Sequence, residues 1–112
     1  MLQRVGVNIE NYMTLLSARQ QVVASNIANA DTPGYKTKDV DFQSELALQM
    51  NGIQPTVSEV SGLRSKNDGN NVDIDREARL LAENALKFNI ASNLARGELR
   101  QLRSAIEDGK TS

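Results

Sequence analysis

Two pairs of aspartates, Asp39 with Asp41 and Asp73 with Asp75, are the residues whose spacing first raises the question of acid–base or metal chemistry. The spacing itself answers against it. Residues two apart do not share a helix face, so neither pair converges on one atom or ion. Both pairs sit where helix caps belong. The chain has no histidine and no cysteine, which removes the commonest general base, the commonest metal ligand and every thiolate. The stretch "RSKNDGNNVDID" has the outline of a calcium loop. With the loop glycine on Gly69, however, Arg64 and Lys66 fall where oxygen ligands are required, and the template fails. No catalytic residue, no metal site and no cofactor is expected. The chain reads as a non-enzyme.

The remaining composition narrows the class. At 112 residues the chain supports one domain, and aromatics make up only 4% of it, so large anchoring side chains are scarce. A formal charge of −1 gives no electrostatic reason to expect nucleic acid or an anionic membrane. The N-terminal "MLQRVGVNIENY" lacks the apolar stretch of a cleaved signal peptide, and no apolar run reaches the length of a membrane span. Direct membrane insertion is not expected, and any route out of the cytosol would have to avoid a cleaved signal.

The strongest periodicity lies near the C-terminus. Steps of four and three from Ile74 reach Ala78, Leu81, Ala85, Phe88, Ser92, Ala95, Leu99, Leu102 and Ile106, and only Ser92 among them is not apolar. A repeat of 3.5 residues held so long predicts a helix buried along one seam against a partner helix. It should run from about Asp73 to Glu107, with Asp73 as its N-cap and Gly109 as its stop. Asp75 and Glu77 in the opening turn, and Arg100, Arg103 and Lys110 near the other end, suit the helix dipole. Leu86, Ile90 and Leu94 form a second apolar stripe away from that seam, with Gly97 near it. A small residue beside an outward apolar stripe suits close approach by another chain, although a middle segment folding back over the stripe would also cover it.

Upstream, Ile9, Tyr12, Met13, Leu16, Val23, Ile27 and Ala30 share one helical stripe, interrupted at Gln20, and predict a helix from about Val5 to Ala30. Leu16, Val23 and Ile27 should face Leu81, Phe88, Leu99, Leu102 and Ile106 in an intramolecular seam. Gln21, Ser25, Asn26 and Asn29 make this helix rich in polar hydrogen-bonding side chains. Such groups can fix register by demanding partners, and Asn26 and Asn29 are expected to offer theirs to a neighbouring subunit. Pro33 drives Thr32 out of the α region and ends the helix by about Asp31. Pro33 and Gly34 then suit the centre of a type II turn.

The corner as a whole, "ASNIANADTPGYK" with Asn26, Ile27, Asn29, Asp31, Thr32, Pro33, Gly34 and Tyr35, resembles the N-terminal signature of the bacterial flagellar rod and hook proteins. "KDVDFQSEL" and "DGNNVDIDRE" are similar to segments of the proximal rod subunits within that family. The section between Gln49 and Lys66 is shorter than the resemblance leads one to expect. The resemblance implies a structural subunit of the basal-body rod in the periplasmic space, exported without a cleaved signal and built into a helical tube. It implies as partners the other rod subunits, the adaptor protein at the rod base, the membrane ring protein and the flagellar type III export gate. Phe42 and Leu46, an aromatic and an aliphatic four apart, are similar to the gate-recognition motif of early export substrates. They also make an ordinary hydrophobic pair on a helix face.

The expected fold is all-α. Two long helices, in segments 1–31 and 72–112, form an antiparallel coiled-coil-like pair within one structural domain. Segment 32–71 supplies the turn, a short helix over Asp41–Met50 stopped at Asn51-Gly52, and a loop with room for short strands near Val57 and Val60. With so little to bury alone, the isolated chain should be incompletely ordered at its termini. The competing reading is a soluble two-helix coiled-coil adaptor or export chaperone, which seam and composition fit equally well.

Overall fold

The structure is a computed structural model that describes residues 2–49 and 56–111, with side chains described over 7–46 and 56–109. Met50, the Asn51-Gly52 stop and the start of the following loop fall outside the described residues. The elements are α1 Leu2–Ala28, β1 Lys38–Val40, α2 Phe42–Gln49, β2 Val57–Glu59 and α3 Ile74–Thr111. Asn26 of α1 meets Glu77 of α3, and Ile9 lines one groove with Ala95. The two long helices are therefore antiparallel neighbours in a molecule of 71 × 24 × 17 Å. This is the all-α pair with a small inserted β segment that the periodicity predicts.

Local chemistry sets the ends of the elements. The Asp73 carboxylate accepts from the backbone N–H groups of Asp75 and Arg76 at 3.0 and 3.3 Å and caps α3. Asp41 caps α2, accepting from the Ser44 hydroxyl at 3.1 Å. After α1, the Tyr35 N–H donates to the Thr32 carbonyl at 3.2 Å across Pro33-Gly34, and Gly34 takes a φ of 76°. That is the positive angle a type II turn demands of its third residue. Gly109 does not stop α3, which continues to Thr111. A glycine inside a helix costs only about 1 kcal/mol against alanine, and no proline follows to enforce an end.

The β segment is a two-stranded sheet and is partly unforeseen. β1 and β2 pair antiparallel, with Lys38 opposite Glu59, Asp39 opposite Ser58 and Val40 opposite Val57. The Val60 N–H extends the ladder to the Thr37 carbonyl at 2.9 Å. β1 escapes a pattern search because it is three residues long and carries an aspartate, a residue depleted in strands.

The predicted seam is displaced by one residue. The residues of α3 turned toward α1 are Glu77, Leu80, Asn84, Lys87 and Ala91, of which Glu77, Asn84 and Ala91 are buried. The expected line through Ala78, Leu81, Ala85, Phe88 and Ser92 runs one position later. Leu81 and Phe88 stand at the edge of the interface, each 38% exposed, and Leu99, Leu102 and Ile106 are 62%, 46% and 52% exposed. On α1 the expected Leu16, Val23 and Ala30 are buried, together with Leu15 and Asn26, while Ile27 lies at the surface. One residue is about 100° of rotation. The cause is polar: Glu77 and Arg76 are drawn into contacts with Asn26 and Asp39, and those contacts hold α3 rotated away from its most apolar face.

Candidate functional site

Asn26 is the centre of the corner. It has no exposed surface, and all its amide hydrogen-bonding capacity is used. Its Nδ2 donates to the Lys38 carbonyl at 2.8 Å and to Glu77 Oε2 at 3.1 Å. Its Oδ1 accepts from the Tyr35 hydroxyl at 2.9 Å and the Lys38 N–H at 3.1 Å. One amide thus ties α1 to the turn, to β1 and to α3. The expectation that Asn26 reaches out to a neighbouring subunit is corrected: its side chain has no capacity left to offer.

A charge cluster of half-buried Arg19, Asp39 and Arg76 with buried Glu77 continues the knot. Arg19 grips Asp39 through both carboxylate oxygens at 3.0 and 3.1 Å. Arg76 bonds the same carboxylate at 2.7 Å and Glu77 Oε1 at 2.6 Å. Burial by itself pushes the Asp39 carboxyl up. The hydrogen bond from Arg19, the Val40 N–H, the Arg19 charge and the Arg76 bond outweigh it and hold the group below its ordinary value. Glu77 is wholly buried, whereas its place in the opening turn of α3 suggests only a dipole partner. Period and composition carry no signal for that burial.

The third strand of the knot comes from "DGNN". Lys66 N–H donates to the Asn70 carbonyl at 2.8 Å, Gly69 N–H to the Lys66 carbonyl at 2.9 Å, and Gly69 takes a φ of 86°. Asn70 sends both amide hydrogens to the carbonyls of Asn29 and Thr32, each at 2.8 Å. Both carbonyls lie just past the end of α1, and each also accepts a backbone N–H of the turn, from Thr32 and Tyr35 respectively. Asn71 accepts from the Thr37 N–H at 2.6 Å, and the Gly34 N–H donates to the Asp68 carbonyl at 2.8 Å. A Cβ on Gly69 would lie in ordinary contact with Gly34 Cα at 3.5 Å, so it is the positive φ of both residues, not lack of space, that favours glycine where the strings meet. Asn29 is half-buried. Its Nδ2 bonds the Ser25 carbonyl and its Oδ1 accepts from the Thr32 hydroxyl. Asp31, Thr32, Pro33 and Gly34 are exposed on the outer side. Two segments some forty residues apart are one clasp.

Phe42 is half-buried between the long helices. Its ring meets Tyr12 edge to face at 5.5 Å and lies 4.8 Å from the Lys87 ammonium. Leu46 follows on α2 and lines a groove with Asn8, Ile9, Tyr12, Ile90, Ala91 and Leu94. Leu86, Ile90 and Leu94 are exposed. A Cβ on Gly97 would meet only the Arg100 guanidinium at 4.0 Å among the described residues, so no described neighbour requires glycine there. α2 reaches this flank but leaves its stripe open. On the other flank Phe88 lines two grooves, one with Ile9, Met13 and Ala95, the other with Leu16, Gln20 and Asn84. α3 therefore carries an uncovered apolar stripe on each side of its α1 contact.

A corner built this way marks a class. Residues 11–36, which hold the latter part of α1 and the turn, match the family described as "Flagella basal body rod protein". Among curated proteins, the flagellar basal body rod protein FlgB of Escherichia coli K12 is 33% identical to this chain, over 87% of this chain and 88% of its own length. The Bacillus subtilis FlgB is 30% identical over 92% and 93%, and that of Borreliella burgdorferi 31% over 74% and 81%. The chain belongs to the FlgB family of flagellar basal body rod proteins. Its class is structural, and these relatives do not favour the adaptor or chaperone reading. The match to the Escherichia coli protein spans 122 residues yet covers 87% of a chain of 112, so that relative carries residues this chain lacks.

Proposed function

We propose that the chain is a non-catalytic building block of the proximal rod, which assembles helically with other rod proteins, transmits motor torque and lines the export channel. The observation that carries this reading is the pair of uncovered apolar stripes on α3, beside a polar clasp that fixes the helix pair. A rigid body with apolar flanks on two sides makes heterologous contacts that repeat without closing. Leu86, Ile90, Leu94 and Gly97 supply one flank. Asn29, Asp31, Thr32 and Pro33 present the outer edge of the corner to the next subunit.

The rod's periplasmic position implies passage through the export gate, without a cleaved signal. Phe42 and Leu46 are engaged against α1 and α3 in the folded chain, so a gate that reads them meets the chain before it folds. Among the described residues, no helix is long and apolar enough to cross a membrane. Contacts with the membrane ring protein and the rod-base adaptor would therefore be made by the rod end rather than by insertion. Purified basal bodies test the proposal. The chain should co-purify with the rod after the hook is sheared away, and cells lacking it should stop assembly at the ring. A chain recovered only in the soluble fraction, with rods intact in its absence, would refute the reading.

A further inference from the structure

The α1–α3 interface uses the less apolar of two neighbouring lines on α3. The line turned toward α1 reads Glu77, Leu80, Asn84, Lys87 and Ala91, and the line one residue later reads Ala78, Leu81, Ala85, Phe88 and Ser92. Three observations show the first line held in place against its own packing. Asn84 is buried, and its Oδ1 has no hydrogen-bond partner among the described residues. Its Nδ2 donates to Gln20 Oε1 at 3.3 Å. A buried polar atom left unpaired opposes the arrangement that buries it. Ala78, Leu81, Ala85 and Phe88 are exposed, so apolar surface that burial would favour stays in water. Beside them α1 leaves room. Phe88 stands at two open grooves of about 410 and 350 Å³, lined on the α1 side by Ile9 and Met13 and by Leu16 and Gln20. A turn of α3 by one residue, about 100°, carries Phe88 into those grooves and Asn84 out to water. The contacts at the opening of α3 oppose that turn. Arg76 bonds Asp39 at 2.7 Å and Glu77 bonds Asn26 at 3.1 Å, and the turn breaks both.

We infer that α3 has two registers on α1, and that the contacts of Arg76 and Glu77 are the lock that holds it in the one observed. In the released register Ala78, Leu81, Ala85 and Phe88 face α1, and Glu77 and Asn84 recover water. Two packings of one helix pair that differ by a few contacts make a bistable element. The other hydrogen bonds of the clasp, from Asn70 to the carbonyls of Asn29 and Thr32 and from the Thr37 N–H to Asn71, precede α3 and need not break. The helices therefore stay joined while α3 turns. The lock keeps Leu81 and Phe88 at the surface, and release withdraws them into the pair. The two registers follow from the helix pair alone and do not depend on the reading as a rod subunit.

The chain has no cysteine, so single thiols report the register in the purified full chain. Ala85 lies on the exposed line and Ala91 on the buried one, and both accept cysteine with little change of volume. With the lock intact, Ala85→Cys should react with a thiol reagent at least about tenfold faster than Ala91→Cys. In the Arg76→Ala/Glu77→Ala background, circular dichroism should show the helices retained. The order of reaction should reverse there, with Ala91→Cys the faster by about tenfold. Adding Asn84→Leu to that background should restore the original order, because leucine favours the register that buries position 84. Retained helicity with an unchanged order would mean that Arg76 and Glu77 do not set the register. Lost helicity, with both thiols reacting alike, would mean that no second packing exists. Either result, or failure of Asn84→Leu to restore the order, overturns the inference and leaves the rod assignment standing.

Discussion

Asn26 has more depending on it than any other side chain of the corner. Replacing it with alanine leaves Glu77 Oε2, the Tyr35 hydroxyl and both backbone groups of Lys38 without that partner. Buried polar groups left unpaired cost about 1–3 kcal/mol each when no water reaches them, and partial relaxation brings the expected loss for Asn26→Ala to about 3 kcal/mol. Asn29→Ala, at a half-buried site, should cost less than about 1 kcal/mol. Urea unfolding of the two variants beside the parent checks the contrast. Asp39 makes a separate prediction about pH. Its folded-state value is depressed below the ordinary 3.8, so its contribution to stability is fully present above that value. It is lost as pH falls through the lower, folded value. Unfolding measured down an acid series should show this loss in the parent, and Asp39→Asn should remove that part of the pH dependence.

At the scale of elements, the flank of α3 formed by Leu86, Ile90 and Leu94 is where assembly and folding separate. Ile90→Asp should change stability by less than about 1 kcal/mol, as for an exposed position, while abolishing recovery of the chain in sheared basal bodies. Circular dichroism and fractionation read the two effects. A large loss of helicity would mean that Ile90 belongs to the core of the isolated chain. How much of this was legible in advance differs by element. Both long helices, the caps at Asp41 and Asp73, and the Pro33-Gly34 turn follow from periodicity and local chemistry. The face on which α3 lies does not. Heptad counting finds where the apolar side chains are, but it cannot see that Arg76 and Glu77 are claimed by Asp39 and Asn26. Buried Glu77 and half-buried Arg76 outrank a more hydrophobic line one position later. For the same reason the two signature strings could each be read as distinctive, while their union stayed hidden: hydrogen bonds between Asn70 and the carbonyls of Asn29 and Thr32 leave no periodic trace.

For the whole molecule, order should be graded along its length. The clasp end combines buried polar contacts, β1–β2 pairing and the α1–α3 interface, whereas every described residue from 99 to 109 is exposed. Amide exchange of the isolated chain should be slowest around residues 23–40 and 70–84 and fastest beyond residue 99, and that last stretch should become protected in assembled rods. Uniform protection to the C-terminus in the dilute chain would contradict this. The clasp also governs timing. Its central bond joins residues 51 positions apart, and chains emerge N-terminus first from the ribosome. Asn26 can bond Tyr35 and Lys38 early, but its bond to Glu77 must wait until that residue has been made. A half-delivered chain therefore cannot complete the clasp, and the order of arrival defers its closure until α3 is present.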